Sequence, residues 1–145
     1  MPKPSMAVRF FQEDVSLPLR DRRRLKAFLE QLGRQEGRPV ARLHYIFCTD
    51  EYLLEINRQF LHHDTYTDII TFDLSEAPGA LQGEIYISLP RVRENAEKFG
   101  AGFDQELHRV IFHGLLHLCG YKDKTKDDRQ QMRKKEEEYL TLYFK

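Results

Sequence analysis

The chain has 145 residues, 41% hydrophobic and 32% charged, which is enough apolar content for one buried core and excludes a disordered or collagen-like chain. Lys and Arg number 23, and so do Asp and Glu, so the net charge is zero and any RNA-binding surface must be a local patch. Two cysteines offer no disulfide framework and suit a reducing cytoplasm, and no apolar run approaches the roughly 18 residues of a membrane span.

The expected organisation is one domain over residues 1–145, with residues 1–6 a disordered tail and no secretory leader. A short strand is expected at Ala7–Phe11. Pro18 breaks regular structure after that strand, and Asp21 is placed to cap a helix over Arg22–Gln35 whose Leu25, Phe28, Leu29 and Leu32 share a face. Gly37 ends it, and Val40–Cys48 alternates as a strand. Thr49 or Asp50 then caps a helix to about Phe60, with Leu53, Leu54 and Ile56 apolar. Leu61–Tyr66 is polar and reads as a loop, Asp68–Asp73 as a strand, and Ser75–Leu81, with Pro78 and Gly79, as a turn or flexible loop. Gly83–Leu89 is a further strand, and Pro90 suits the first turn of a helix to Phe99, broken at Gly100–Gly102. Asp104 opens the most apolar helix, and Thr125 with Asp128 resembles a capping box for a last one. Strands and helices mix without regular alternation, so the expected class is α+β: about four strands in a mixed sheet packed with helices, the apolar helix central.

That helix carries His113 and His117, four residues apart and therefore on one face. Gly120 can take the left-handed conformation that ends a helix, letting the chain turn back and offer Asp123 as a third ligand. Three protein ligands and one open position describe a catalytic zinc site. The competing reading is two core histidines and a solvated turn carboxylate. Asp127 and Asp128 compete as ligands but are better explained as first-turn helix charges. His108, five residues before His113, is rotated away, and Cys119 and Cys48 read as core. Zincin-like ligand spacing is present, but Gly114 stands where a metallopeptidase has its glutamate base, which argues against peptide hydrolysis.

The segment His113–Asp123 (HGLLHLCGYKD) resembles the signature of the YbeY family of bacterial metal-dependent endoribonucleases, roughly H-G-x-L-H-L-x-G-Y-D-H. Ile56-Asn57, Phe60, Asp64 and Thr67–Phe72 resemble the family's upstream block, and Gly83–Ser88 its G-D-I-x-I strand. The resemblance departs at two positions: the family's third histidine falls at Asp123, and its functional arginine falls at Leu61. Arg58, nearly one helical turn before Leu61, is the candidate substitute.

The resemblance implies a zinc-dependent endoribonuclease that cuts single-stranded RNA near the 3′ end of small-subunit ribosomal RNA, in the cytoplasm, with the ribosome or its associated proteins as partners. His113, His117 and Asp123 would hold one Zn²⁺ per chain, Arg58 would stabilise transition-state charge, and Arg58, His62, His63 and Tyr66 would touch RNA. Asp64, Asp68 and Glu84 are the candidate bases, each with a structural role to set against it. The run from Lys134 to Glu138 and the cluster Arg20 to Lys26 read as solvated helix faces. The alternatives are a non-catalytic ribosome-assembly factor with a structural metal, or a metal-dependent hydrolase of another substrate.

Overall fold

Apolar residues at every second position of the second strand require a sheet with one well-covered face, and the computed structural model, which describes residues 7–76 and 80–145, has one. Strands β1 (Val8–Gln12), β2 (Val40–Cys48), β3 (Ile69–Asp73) and β4 (Leu81–Ser88) lie in the order β1-β2-β4-β3. The first three in that order are parallel and β3 is antiparallel to β4. The register sets Phe10 beside Tyr45 and Tyr45 beside Ile85, so Leu43, Tyr45, Phe47, Ile85 and Ile87 point to one face and are fully buried.

Helices α1 (Arg22–Gln35), α3 (Leu89–Phe99), α4 (Phe103–Leu118) and α5 (Lys126–Tyr143) contribute to the core on that face, with α4 touching α1, α3, α5, β3 and β4. Helix α2 (Asp50–Leu61) covers part of the other face, where Leu53 packs with Cys48 and Ile70. The α+β class, the mixed four-stranded sheet and the central apolar helix are as expected from the sequence.

Ten of the 16 residues of α4 are buried, so it has little choice but to lie under the sheet. Each fully buried leucine such as Leu115 or Leu116 contributes roughly 1.5–3 kcal/mol relative to exposure. The Tyr45 hydroxyl crosses the core to donate to the Ile111 carbonyl at 2.8 Å. Gly114 permits the close approach: a Cβ there would lie 3.0 Å from side-chain atoms of both Ile69 and Ile85. The position that holds a base in metallopeptidases is thus used here to seat the helix on the sheet.

The caps explain where the helices start. The Thr49 hydroxyl accepts from the Tyr52 N–H, Ser88 caps α3, and Thr125 and Asp128 form a capping box. Asp21 differs from expectation. It precedes α1, but with φ 52° it is in the left-handed region and its side chain makes no capping bond. The last helix also differs. Met132, Tyr139, Leu140 and Tyr143 pack on the domain as expected, but within the supposed solvated run Glu136 is only 5% exposed, its carboxylate enclosed by Arg109 and His113 of α4. The expected disordered tail at 1–6 lies outside the described residues, as does the centre of the expected turn, residues 77–79.

Candidate functional site

His113 and His117 emerge from the face of α4 that the sheet leaves uncovered. Their ring centroids are 6.5 Å apart and their planes differ by 1°. The His113 Nδ1 lies 2.6 Å from Glu136 Oε2 on α5, and the His117 Nδ1 lies 3.0 Å from the Tyr121 carbonyl oxygen. A carboxylate and a carbonyl can only accept, so each Nδ1 carries the proton. In the neutral rings each Nε2 then keeps its lone pair, the tautomer a metal-ligating histidine needs.

The loop after α4 supplies the second of these acceptors. Gly120 has φ 113°, which an L side chain rarely adopts, and with it the Tyr121 N–H returns to the Leu116 carbonyl and the Gly120 N–H to that of His117. This turns the Tyr121 carbonyl toward the His117 ring. The Tyr121 hydroxyl donates to Glu36 at 2.7 Å, and Tyr139 and Lys135 donate to the same carboxylate. Burial alone would raise the Glu36 carboxyl, but the Tyr139 and Tyr121 hydroxyls and Lys135 outweigh it and hold it below the usual range. Glu36, at the end of α1, thereby anchors the loop that orients His117.

Glu136 is anchored too. Arg109 on α4 donates to its Oε1 at 3.3 Å and also pairs with Glu137 and Glu106. Burial lowers the pKa of His113, but the Glu136 hydrogen bond and charge, with Asp123 and Asp68 adding theirs, leave it above the ordinary value.

Asp123 comes back toward α4 as expected, its Oδ2 3.5 Å from His113 Nε2. Among the described residues no three His, Cys, Asp or Glu side chains converge as a ready metal-holding group. Asp123 here addresses the His113 nitrogen itself rather than a shared centre. As a donor set, two imidazole nitrogens with fixed tautomers and one half-exposed carboxylate suit a cation of the zinc class.

A cleft of about 600 Å³ opens beside His113, walled by Asp123 and by Lys126, Arg129, Met132, Arg133 and Glu136 of α5. A second hollow of about 400 Å³ shares His113, Asp123, Arg133 and Glu136 and adds Asp68, Asn95, Phe99 and Arg109. Of the three candidate bases, Asp68 lines it. Its carboxyl is raised mainly by burial, with His113 opposing, and accepts from Asn95 Nδ2 at 3.4 Å. Asp64 is exposed and bound to Arg58, and Glu84 accepts from the Tyr86 hydroxyl.

Arg58, His62, His63 and Tyr66 are not among the residues lining either hollow. The Arg58 Nε lies 2.5 Å from Asp64, with Glu55 at 3.8 Å. His62 ends α2 in the left-handed conformation, His63 is exposed, and the Tyr66 ring packs 5.1 Å from the Arg91 guanidinium. His108 is buried, with its Nδ1 donating to the Asp104 carbonyl at 2.7 Å. Cys48 is buried and Cys119 half-buried, and burial raises both thiols, to about 12 and about 11. Sequence reasoning missed Glu136, Arg109 and Glu36. The available signal was that Glu136 falls on the apolar stripe Met132, Glu136, Leu140, where a carboxylate needs a partner.

The model of the family described as Endoribonuclease YbeY matches residues 8–143. A protein named Endoribonuclease YbeY from Cytophaga hutchinsonii is 50% identical over 133 residues, 92% of this chain and 93% of the relative. One of the same name from Porphyromonas gingivalis is 48% identical over 135 residues, 93% of this chain and 89% of the relative. Among solved structures, the solution structure of TM1509 from Thermotoga maritima matches with a TM-score of 0.61 at 31% identity, covering 92% of this chain and 86% of that one.

Proposed function

We propose, from the premise that the chain belongs to the endoribonuclease YbeY family, that it hydrolyses phosphodiester bonds of single-stranded RNA at the cleft beside His113. The observation that carries this reading is the pair of parallel imidazoles whose Nδ1 protons are both committed to fixed acceptors, leaving Nε2 for a cation. His113, His117 and Asp123 would hold one zinc ion, and the two histidines are catalytic in that sense. When bound, zinc supplies a Lewis acid for the scissile phosphate and an acidified water.

The chain's own residues do the rest. Glu136 keeps His113 in one tautomer and one orientation, and the Tyr121 carbonyl does the same for His117. Asp68, half-buried in the same hollow with its carboxyl raised, would exchange a proton with substrate or leaving group. Arg58 is the proposed charge stabiliser in place of the arginine missing at Leu61; to serve, its guanidinium must exchange Asp64 for a phosphate. His62, His63 and Tyr66, in the exposed segment after α2, are proposed RNA contacts.

The proposed substrate is ribosomal RNA of the small subunit, with the ribosome as partner, in the cytoplasm. One domain comprising the whole chain would carry the activity. Support for these comes from the family, whose model spans residues 8–143.

The test is metal content by elemental mass spectrometry beside RNA cleavage, for wild type, His117→Ala and Asp123→Ala, each checked for folding. About one zinc per wild-type chain, lost in both variants together with cleavage, is expected. Undiminished cleavage by His117→Ala would refute the site. A zinc-loaded wild type that leaves RNA intact would favour a non-catalytic assembly factor, a reading to which Leu61 lends its weight.

A further inference from the structure

Phe99 is, among the described residues, the most exposed large apolar side chain, at 62%. It extends the stripe Leu89, Val92, Ala96 of α3 beyond the edge of the core, and it lines the hollow with Asp68, Asn95 and His113. Three other exposed aromatics have ring partners: Phe60 meets Phe72, Phe11 meets His44, and Phe144 meets Tyr143, while the Tyr66 ring lies against the Arg91 guanidinium. Among the described residues Phe99 has no ring contact, only the Lys98 ammonium 5.9 Å from its centroid. Asn95, one turn earlier, lines the same hollow and spends its amide on a single long hydrogen bond to Asp68.

Across the shared wall, Lys126, Arg129 and Arg133 recur at intervals of three and four residues along α5, and all three line the larger cleft. They span about 10 Å of helix. The acidic groups beside them are largely committed: Glu136 to His113 and Arg109, Asp128 to the cap of its own helix. Arg133 reaches Glu136 only at 3.8 Å, and Arg129 donates to the neutral Lys124 carbonyl, so with Asp123 as the other carboxylate of the wall the three cations still have charge to offer an anion. A chain with zero net charge thus sets three cations in the wall beside His113, together with the Asp123 and Glu136 carboxylates.

We propose that this double hollow is a single-strand RNA subsite in which a nucleobase stacks on Phe99, with Asn95 at its edge, while the adjoining phosphates lie on Lys126, Arg129 and Arg133. This deepens the ribonuclease reading and rests on it. It also supplies a physical reason for strand preference: a base can reach the Phe99 ring only when unstacked and unpaired. The chemistry is sequence-tolerant, since every base has a π face and the cations address the backbone.

The test is fluorescence anisotropy of a labelled oligoadenylate strand with the full chain in EDTA, so that no metal-dependent cleavage consumes it, across a salt series, beside cleavage of the same RNA by the metal-loaded protein. Phe99→Ala is expected to weaken binding about 5- to 150-fold with an unchanged salt dependence. Phe99→Trp should bind within about twofold of wild type, because stacking is kept. Arg129→Ala with Arg133→Ala should lower the slope of log affinity against log salt by about 0.7 per cation removed. If wild type binds and cleaves while Phe99→Ala matches it in both, the subsite is wrong and the ribonuclease reading stands. If wild type neither binds the strand nor cleaves RNA, both fall.

Discussion

Replacing Glu136 by glutamine keeps the shape of a nearly buried side chain and removes its charge. In the wild type both oxygens accept, one from His113 Nδ1 at 2.6 Å and one from Arg109 Nη1 at 3.3 Å. An amide offers one oxygen and one NH₂, so the NH₂ must face a donor whichever way it turns. Hydrogen bonds to charged groups contribute about 1.5–3 kcal/mol each, and breaking a buried ion pair costs about 3–5 kcal/mol. Arg109 keeps Glu137 at 2.5 Å and Glu106 at 3.6 Å, so the loss falls mainly on His113. The expected cost is about 2–3 kcal/mol, or a fall in Tm of roughly 5–10 °C.

Urea unfolding followed by circular dichroism, in EDTA so that no metal adds to stability, measures it. Glu138→Gln, on the exposed side of the same helix, is the control and should change stability by less than about 0.5 kcal/mol. Zinc affinity of Glu136→Gln should drop about 10- to 100-fold, since a neutral amide replaces the anionic acceptor that orients His113 and raises its basicity. A Glu136→Gln protein as stable as Glu138→Gln, with wild-type zinc affinity, would refute the clamp.

Gly114→Ala places a methyl 3.0 Å from atoms of Ile69 and Ile85 and should cost about 1–3 kcal/mol by lifting α4 from the sheet; an unchanged urea midpoint would show that the isoleucines yield freely. His108 is depressed below its ordinary 6.5 by burial, despite the opposing Asp104 carbonyl and charge, so the fold favours the neutral ring. As pH falls through the unfolded value, the unfolded chain binds the proton first and stability drops until the folded pKa is passed. His108→Leu should therefore gain on wild type between about pH 7.5 and pH 5.5; parallel urea midpoints across that range would contradict the assignment.

The local signals that made the elements legible are chemical punctuation. Gly37 after Gln35, Thr49 before Asp50, and Thr125 with Asp128 are caps whose partners lie within a few residues, so sequence alone locates them. The histidine pair was legible for the same reason, since helical periodicity alone puts both rings on one face. What was hidden depends on distant parts of the chain. Glu136 meets His113 from 23 residues away, Glu36 meets Tyr121 from 85, and the His117 acceptor is a backbone carbonyl with no residue type to betray it. Asp21 misled because its identity suits a cap while its left-handed backbone does not. Arg58 stands one turn from Leu61 by spacing alone, and spacing says nothing of the Asp64 carboxylate, six residues on, that holds its guanidinium.

The raised thiols have a consequence for how this protein meets oxidants. Only the thiolate attacks disulfides, peroxides and alkylating reagents, and with values of about 12 for Cys48 and about 11 for Cys119 both remain protonated near neutral pH. Cys119 stands two residues from His117, where a thiolate would be a strong rival for any zinc-class cation and an oxidised sulfur would disturb the turn at Gly120. Packing against the core disfavours that thiolate, so the loop that orients His117 is spared a competing sulfur ligand beside it.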